Sequence, residues 1–287
     1  MPSTVNTNLV SLNSQRNLGM SQSSLSTAMQ RLSSGLRVNS AKDDAAGLAI
    51  SERMGAQVRG MNVAVRNAND AISLTQTAEG AMAKVGDSLQ RMRELAAQAR
   101  NATNSDSDKD SLDKEFGELA KEIQRVIGGT TFNGKHIIGS DADTQTFQIG
   151  ANTSSDDTID LVTTNMGSAA DLTAVAGTDN TGAARAVIDS TTDSTSLATV
   201  IDNIDTAIDF VNGERATMGA AQNRFDAVIS NLQVSVENQS AARSRITDAD
   251  FATETASLSR AQILQQAGNA MVAQANQLPQ QVLRLLQ

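Results

Sequence analysis

The chain has 287 residues, enough for one or two domains, and its formal net charge of -9 argues against nucleic acid as the principal partner. It contains no cysteine, which excludes disulfides and thiolate metal sites, and an oxidising destination costs it nothing. Aromatic residues make up only 2%, with no Trp or Tyr and 6 Phe, so packing through Leu, Ile, Val, Met and Ala is expected rather than a core of bulky rings.

The first predicted element lies near the start, where Leu18, Leu25 and Leu32 recur every seventh residue and Met29 and Leu36 fill the intermediate positions. A second helix is expected from 43 to about 100. It has no proline, and Met54, Val58, Met61, Val65, Ala68, Ile72, Met82 and Leu89 keep an a/d spacing. Straight, it would run for roughly 85 Å, so it needs support along its length. The pair Asp43-Asp44 suits a helix start.

A shorter helix is predicted over 111–127, with Leu112, Phe116, Leu119, Ile123 and Val126 on one side. Gly128-Gly129 ends it. The period then changes to 2: Asn133-Gly134 is a hairpin signal, and Phe147-Gln-Ile149 and Thr158-Ile-Asp-Leu161 alternate as strands do. From 166 to 195 the chain is rich in Thr, Ser, Ala, Gly and Asp, with Arg185 the exception to its acidity, and this segment is expected to face water as a compact lobe or a partly mobile loop.

The strongest periodicity follows, with Leu197, Ile204, Val211, Met218, Phe225, Leu232 and Ile246 at one heptad position and Ile201, Ile208, Ile229 and Val236 at the other. Arg215, Gln222 and Arg243 interrupt the second position, a device that fixes register at a cost in stability. At the finish Leu264, Met271, Leu278 and Leu285 repeat every seventh residue, with Ala275 and Val282 between them. Pro279 predicts a kink there. Both ends lack acid: no Asp or Glu precedes Asp43 and none follows Glu254. The expected fold is mainly α, a long coiled-coil-like helical bundle with a small β-hairpin element and paired terminal segments.

Catalysis finds little support. The single histidine, His136, sits two residues past a turn signal, which suits a solvated position, and no Gly-x-Ser-x-Gly, zinc, Walker or Rossmann pattern is present. Asp141-x-Asp143-x-Gln145 begins like a calcium loop but has Thr146 and Asn152 where Gly and Glu are needed. No cofactor or metal is expected. The opening residues lack the charge and apolar run of a cleaved signal peptide, and no stretch of about 18 apolar residues calls for membrane insertion.

Two long motifs carry a resemblance. Arg31-Leu-Ser-Ser-Gly-Leu-Arg-Val-Asn-Ser-Ala-Lys-Asp-Asp-Ala-Ala-Gly47 resembles the N-terminal signature of bacterial flagellin. Ser240-Ala-Ala-Arg-Ser-Arg-Ile-Thr-Asp-Ala-Asp250, Ala261-Gln-Ile-Leu-Gln-Gln-Ala-Gly268 and Gln274-Ala-Asn-Gln-Leu-Pro279 are similar to its C-terminal half. The resemblance covers roughly 1–165 and 197–287. It implies a short flagellin with discontinuous domains: 1–42 with 248–287 as the inner domain of the filament core, 43–165 with 196–247 as a helical domain with a β-hairpin, and 166–195 as a short acidic outer segment.

It further implies a homopolymer forming the extracellular filament that propels a swimming bacterium, with terminal helices ordered on assembly and a core seam of Leu18, Leu25, Met29, Leu32, Leu36, Leu264, Met271, Ala275, Leu278, Val282 and Leu285. Type III export of the unfolded chain, an export chaperone on the C-terminal seam, and filament cap and hook-junction proteins as partners are implied with it. Leu89-Gln-Arg91-Met-Arg-Glu-Leu95 is similar to the segment bound by an animal Toll-like receptor, an innate immune receptor, which makes Arg91, Leu95 and Glu115 the expected contacts. The alternative is a hook-filament junction protein, which shares such termini.

Overall fold

The structure, a computed structural model, describes residues 7–182 and 184–285, the side chains of 278–285 excepted. Six α-helices dominate the described residues: α1 (Leu9–Ser34), α2 (Ala45–Ala99), α3 (Asp106–Gly129), α4 (Ala170–Ala176), α5 (Ser194–Thr247) and α6 (Phe251–Leu285). The predominantly helical fold expected from the heptads is present. The chain divides into two compact units, one made of 1–56 with 237–287 and the other of 57–236.

Local chemistry places the helix ends. Asn8 Oδ1 accepts from the Ser11 N–H at 3.1 Å to open α1, and Gly35 closes it in the left-handed region at φ 72. Asp44 accepts from the Gly47 N–H at 2.8 Å at the start of α2. Helix α3 begins five residues before its apolar periodicity does, because Ser105 and Asp108 form a reciprocal capping box. An acidic first turn carries no hydrophobic stripe, so the pattern alone starts too late. Helix α6 continues through Pro279 to Leu285.

The second unit holds the larger core. Met82, Leu89, Met92 and Leu95 of α2, Phe116, Ile123 and Ile127 of α3, and Leu197, Ile204, Val211 and Met218 of α5 are buried in one cluster. Helices α2 and α5 are antiparallel there, since Arg93 meets Asp205 while Glu79 accepts from Gln222 at 3.0 Å. Gln222, a polar interruption of the heptad, thus has a cross-helix partner.

Two small antiparallel pairs lie in this unit. Strands β1 (Thr131–Phe132) and β2 (Lys135–His136) are joined by Asn133 at φ 49 and Gly134 at φ 81, the positive angles that a two-residue hairpin demands. His136 is half-buried on β2, less solvated than its neighbourhood implies, and its backbone N–H donates to Asp141 at 2.9 Å. Strands β3 (Thr144–Gln148) and β4 (Thr158–Val162) pair Phe147 with Ile159. Phe147 meets the buried Phe225 ring edge-on at 5.7 Å between centroids.

Of the two forms expected for it, the 166–195 segment takes that of a compact lobe. It does not simply face water: Met166 is 1% exposed and Leu172, Val175, Ala176 and Ile188 are 0%. Its aliphatic residues are few, but Leu172, Val175 and Ala176 share one face of α4 and meet α3. Arg185 clasps the rest. Its guanidinium donates twice to Asp113, at 2.8 and 2.5 Å, and lies 6.0 Å from the Phe116 ring centre. Asp113 also accepts from the Ile188 N–H at 2.9 Å.

Because both partners of this pair are largely shielded from solvent, Asp113→Ala should cost about 3–5 kcal/mol by leaving the arginine's charge without its carboxylate. Phe116→Ala, which opens a cavity in the larger core, should cost about 3–5 kcal/mol. Urea denaturation of the two variants beside the native chain measures both.

Candidate polymerisation surface

In the first unit α1 and α6 run antiparallel in a register that successive contacts define. Ser11 Oγ donates to Asn276 at 2.7 Å, Asn8 donates to the Ala275 carbonyl at 2.7 Å, and Arg31 pairs with Glu254 at 2.9 Å. Between these points Gly268 faces Leu18 so closely that an added Cβ would stand 3.1 Å from its Cδ1. Residue numbers across the pair therefore sum to about 286, which sets Ser11, Leu18, Leu25 and Leu32 opposite Ala275, Gly268, Ala261 and Glu254. Small residues form the α6 side of this seam.

That placement sorts the expected seam residues. Ala275 is buried at 2% exposure, with Ala28 and Ala261 at 3% and 4%, while Leu18, Leu25, Leu32 and Leu36 are half-buried. Met29, Leu264 and Met271 are 57%, 51% and 58% exposed, turned away from the intrachain seam. Leu278, Val282 and Leu285 have side chains outside the described residues. Ala28, Ala261 and Gly268 escaped a heptad count keyed to large apolar side chains. The spacing of 261, 268 and 275 was the available signal.

Leu9, Leu12, Met20 and Ile263 join the outward set at 67%, 55%, 58% and 65% exposure. A groove of about 560 Å³ between the helices is lined by Asn17, Met20, Ser24, Arg260 and Leu264 among others. The joint beneath the pair is held by backbone: Arg37 N–H donates to the Thr247 carbonyl at 2.7 Å, and Ala249 N–H to Gly35 at 2.9 Å. Asp250 caps α6, and hydrogen bonds from the Thr253 hydroxyl and then the Ala252 and Thr253 N–H groups hold its carboxyl below the usual range.

A second expected site lies on α2. Arg91 is brought to Glu115 of α3 at 2.8 Å and to Glu94 at 2.9 Å, all three exposed, and these hydrogen bonds raise the guanidinium pKa. Leu95 does not share that surface. It is 1% exposed within the core: it lies on the same side of the helix as Arg91, about 40° round, but nearer the line where α3 and α5 pack onto α2. It is unavailable as a surface contact in the folded unit.

Among the described residues no group of three His, Cys, Asp or Glu could hold a metal ion, and no helix is long and apolar enough to cross a membrane. Two terminal segments joined along small residues, with long apolar side chains facing out, present an apolar surface of the kind that marks interaction sites.

Comparison with known proteins identifies the class. Residues 5–146 match the bacterial flagellin N-terminal helical region and 201–286 the C-terminal helical region. The chain is 46% identical over 282 residues to flagellin of Halalkalibacterium halodurans, covering 98% of this chain and 99% of that protein. It is 41% identical over 303 residues to flagellin of Bacillus subtilis, again covering 98% and 99%. A crystal structure of Bacillus cereus flagellin shares 33% identity, with a TM-score of 0.47, over 62% of this chain and 94% of that one. The chain belongs to the bacterial flagellin family. It is a structural subunit of the self-polymerising extracellular flagellar filament and serves motility, not catalysis.

If small residues set the helix separation, Gly268→Leu should force α1 from α6, while Gly268→Ala needs only a small shift of Leu18 and gains about 1 kcal/mol of helix propensity. Amide hydrogen exchange should show faster exchange across 9–34 for the leucine variant and equal or slower exchange for the alanine one.

Proposed function

We propose that subunits join through the outward stripes of the terminal pair, so that Met29, Leu264 and Met271, with the half-buried Leu18, Leu25, Leu32 and Leu36, meet neighbouring copies while Ala275 closes each copy's own seam. Leu278, Val282 and Leu285 continue the same repeat in sequence and are assigned to the same core. The carrying observation is the exposure of long apolar side chains on α1 and α6, all in a segment where acid is scarce. Heterologous contacts repeated by rotation and rise then generate an open helical polymer. In this reading 1–42 with 248–287 form the inner domain, 43–165 with 196–247 a helical rod domain with a β-hairpin, and 166–195 a short acidic outer segment.

The same stripes make the free ends dependent on partners. A cysteine-free chain carries no crosslink that would obstruct passage unfolded through a type III channel, and an export chaperone covering the C-terminal repeat would hold it unassembled. Filament cap and hook-junction proteins complete the partner set, as neighbours at the polymer's ends. Leu264→Asp should leave monomer helix content unchanged yet raise the critical concentration for salt-induced polymerisation by about ten-fold or more. A truncation lacking 248–287 should form no filaments under the electron microscope. Normal filaments from both would refute the assignment.

Recognition of the monomer by an animal Toll-like receptor is the further part of the proposal. Its support is the exposed Arg91–Glu115 pair, two charged groups held in fixed geometry across two helices. Arg91→Ala should lower receptor signalling by purified monomer at least ten-fold with an unchanged melting temperature, and Glu115→Ala less so. Leu95→Ala should act instead through stability, at about 2–5 kcal/mol. Reporter-cell titration beside thermal melts separates the two routes, and full signalling by the Arg91 variant refutes the contact.

A further inference from the structure

Sulfur in this chain is confined to methionine, and the described methionines divide by exposure, with the half-buried Met54 between the two groups. In the second unit Met92 is 0% exposed, Met82, Met166 and Met218 are 1% and Met61 is 6%. Met20 and Met29 of α1 and Met271 of α6 are 58%, 57% and 58% exposed. An oxidant in solution meets these three directly. It reaches the buried group only when the core opens, so reactivity should follow exposure.

Their positions give that reactivity a consequence. Met20 lines the groove between α1 and α6 together with Leu264, and Met271 stands one heptad beyond Leu264 on the same stripe of α6. Met29 is nine residues from Met20, half a turn round α1 at 100° per residue, so the two thioethers serve different sides of one helix. Assembly contacts on either side would therefore include an exposed sulfur.

We propose that Met20, Met29 and Met271 are sites of oxidation by hydroperoxides, and that their sulfoxides keep a free subunit from joining the polymer. The inference rests on the reading that these faces are polymer contacts. A thioether lone pair attacks one peroxide oxygen, an S–O bond forms and the O–O bond breaks. With hydrogen peroxide the second oxygen leaves as hydroxide and takes the transferred oxygen's proton to become water. Sulfur loses two electrons and the peroxide gains them.

The product is a strongly polar acceptor on a side chain that had been apolar and adaptable. Burying it against an apolar neighbour leaves that acceptor unpaired. Assembled subunits already cover the same thioethers, so oxidation acts before assembly and filament already formed resists it.

The test treats the purified full chain with dilute hydrogen peroxide, maps added oxygen by peptide mass spectrometry and follows salt-induced polymerisation by sedimentation. Oxygen should appear on Met20, Met29 and Met271 well before Met82, Met92, Met166 and Met218, and more slowly on all three in preformed filament. Each sulfoxide should raise the critical concentration about ten-fold. The triple variant Met20→Leu, Met29→Leu, Met271→Leu should polymerise equally with and without peroxide; should it not assemble untreated, each single leucine variant should blunt the peroxide effect. Equal oxidation of exposed and buried methionines, or leucine variants blocked as fully as the native chain, overturns the proposal. Failure of untreated native chain to polymerise refutes the assembly reading instead, and mass mapping still decides whether the three sites are selective.

Discussion

The close approach of α1 to α6 is the constraint on which the rest depends. A helix side made of Ala261, Gly268 and Ala275 lets Leu18 lie almost against the opposing backbone, and polar clamps at Asn8, Ser11 and Arg31 fix the register. A seam built this way has little room inside for long side chains. They must point elsewhere, and on α6 Ile263, Leu264 and Met271 are more than half exposed. The tightness of the intrachain contact and the stickiness of the outer surface are one design choice seen from two sides.

The second unit solves the opposite problem. With few aromatic residues, it relies on long helices whose Leu, Ile, Val, Met and Ala stripes interlock, and on Phe116 and Phe225 at the two places where another layer must be added. Phe116 receives Arg185 and the segment carrying it; Phe225 receives the β3–β4 pair through Phe147. The charged pair at Arg91 and Glu115 lies over this core rather than within it. Its geometry is therefore inherited from packing beneath, chiefly Leu95 and Met92, and not from the modest attraction of exposed ions.

Much of this was legible in the amino-acid order. Helices α2 and α5 follow their heptads, and the buried positions of α5 at Leu197, Ile204, Val211, Met218 and Phe225 are those of one register. The Asn133-Gly134 turn and the β3–β4 alternation also read directly, because backbone requirements there admit few side chains. The seam of the terminal pair did not. Small residues at heptad spacing carry no hydrophobic signal, while Leu264 and Met271, which carry it strongly, face away from the seam. The 166–195 segment was obscured differently, since four or five aliphatic side chains suffice to dock it and are diluted by Thr, Ser and Asp. Leu95 shows the limit of helical spacing: residues at i and i+4 are neighbours, yet one can be exposed and the other buried where the helix meets a core.

This separation of roles bears on how the terminal pair is stabilised. At roughly 25 cal/mol per Å² of apolar surface removed from water, alanine and glycine contribute little on their own, so the intrachain seam specifies alignment more than it drives folding. The larger apolar reservoir is the outward one at Leu9, Leu12, Met20, Met29, Ile263, Leu264 and Met271, which the described chain leaves exposed. Ordering helices of this length has a substantial conformational cost, which the weak internal seam offsets only in part. On the proposed assembly, completion of the fold is coupled to subunit concentration. A monomer that satisfied the same side chains internally would gain stability and lose its reason to assemble.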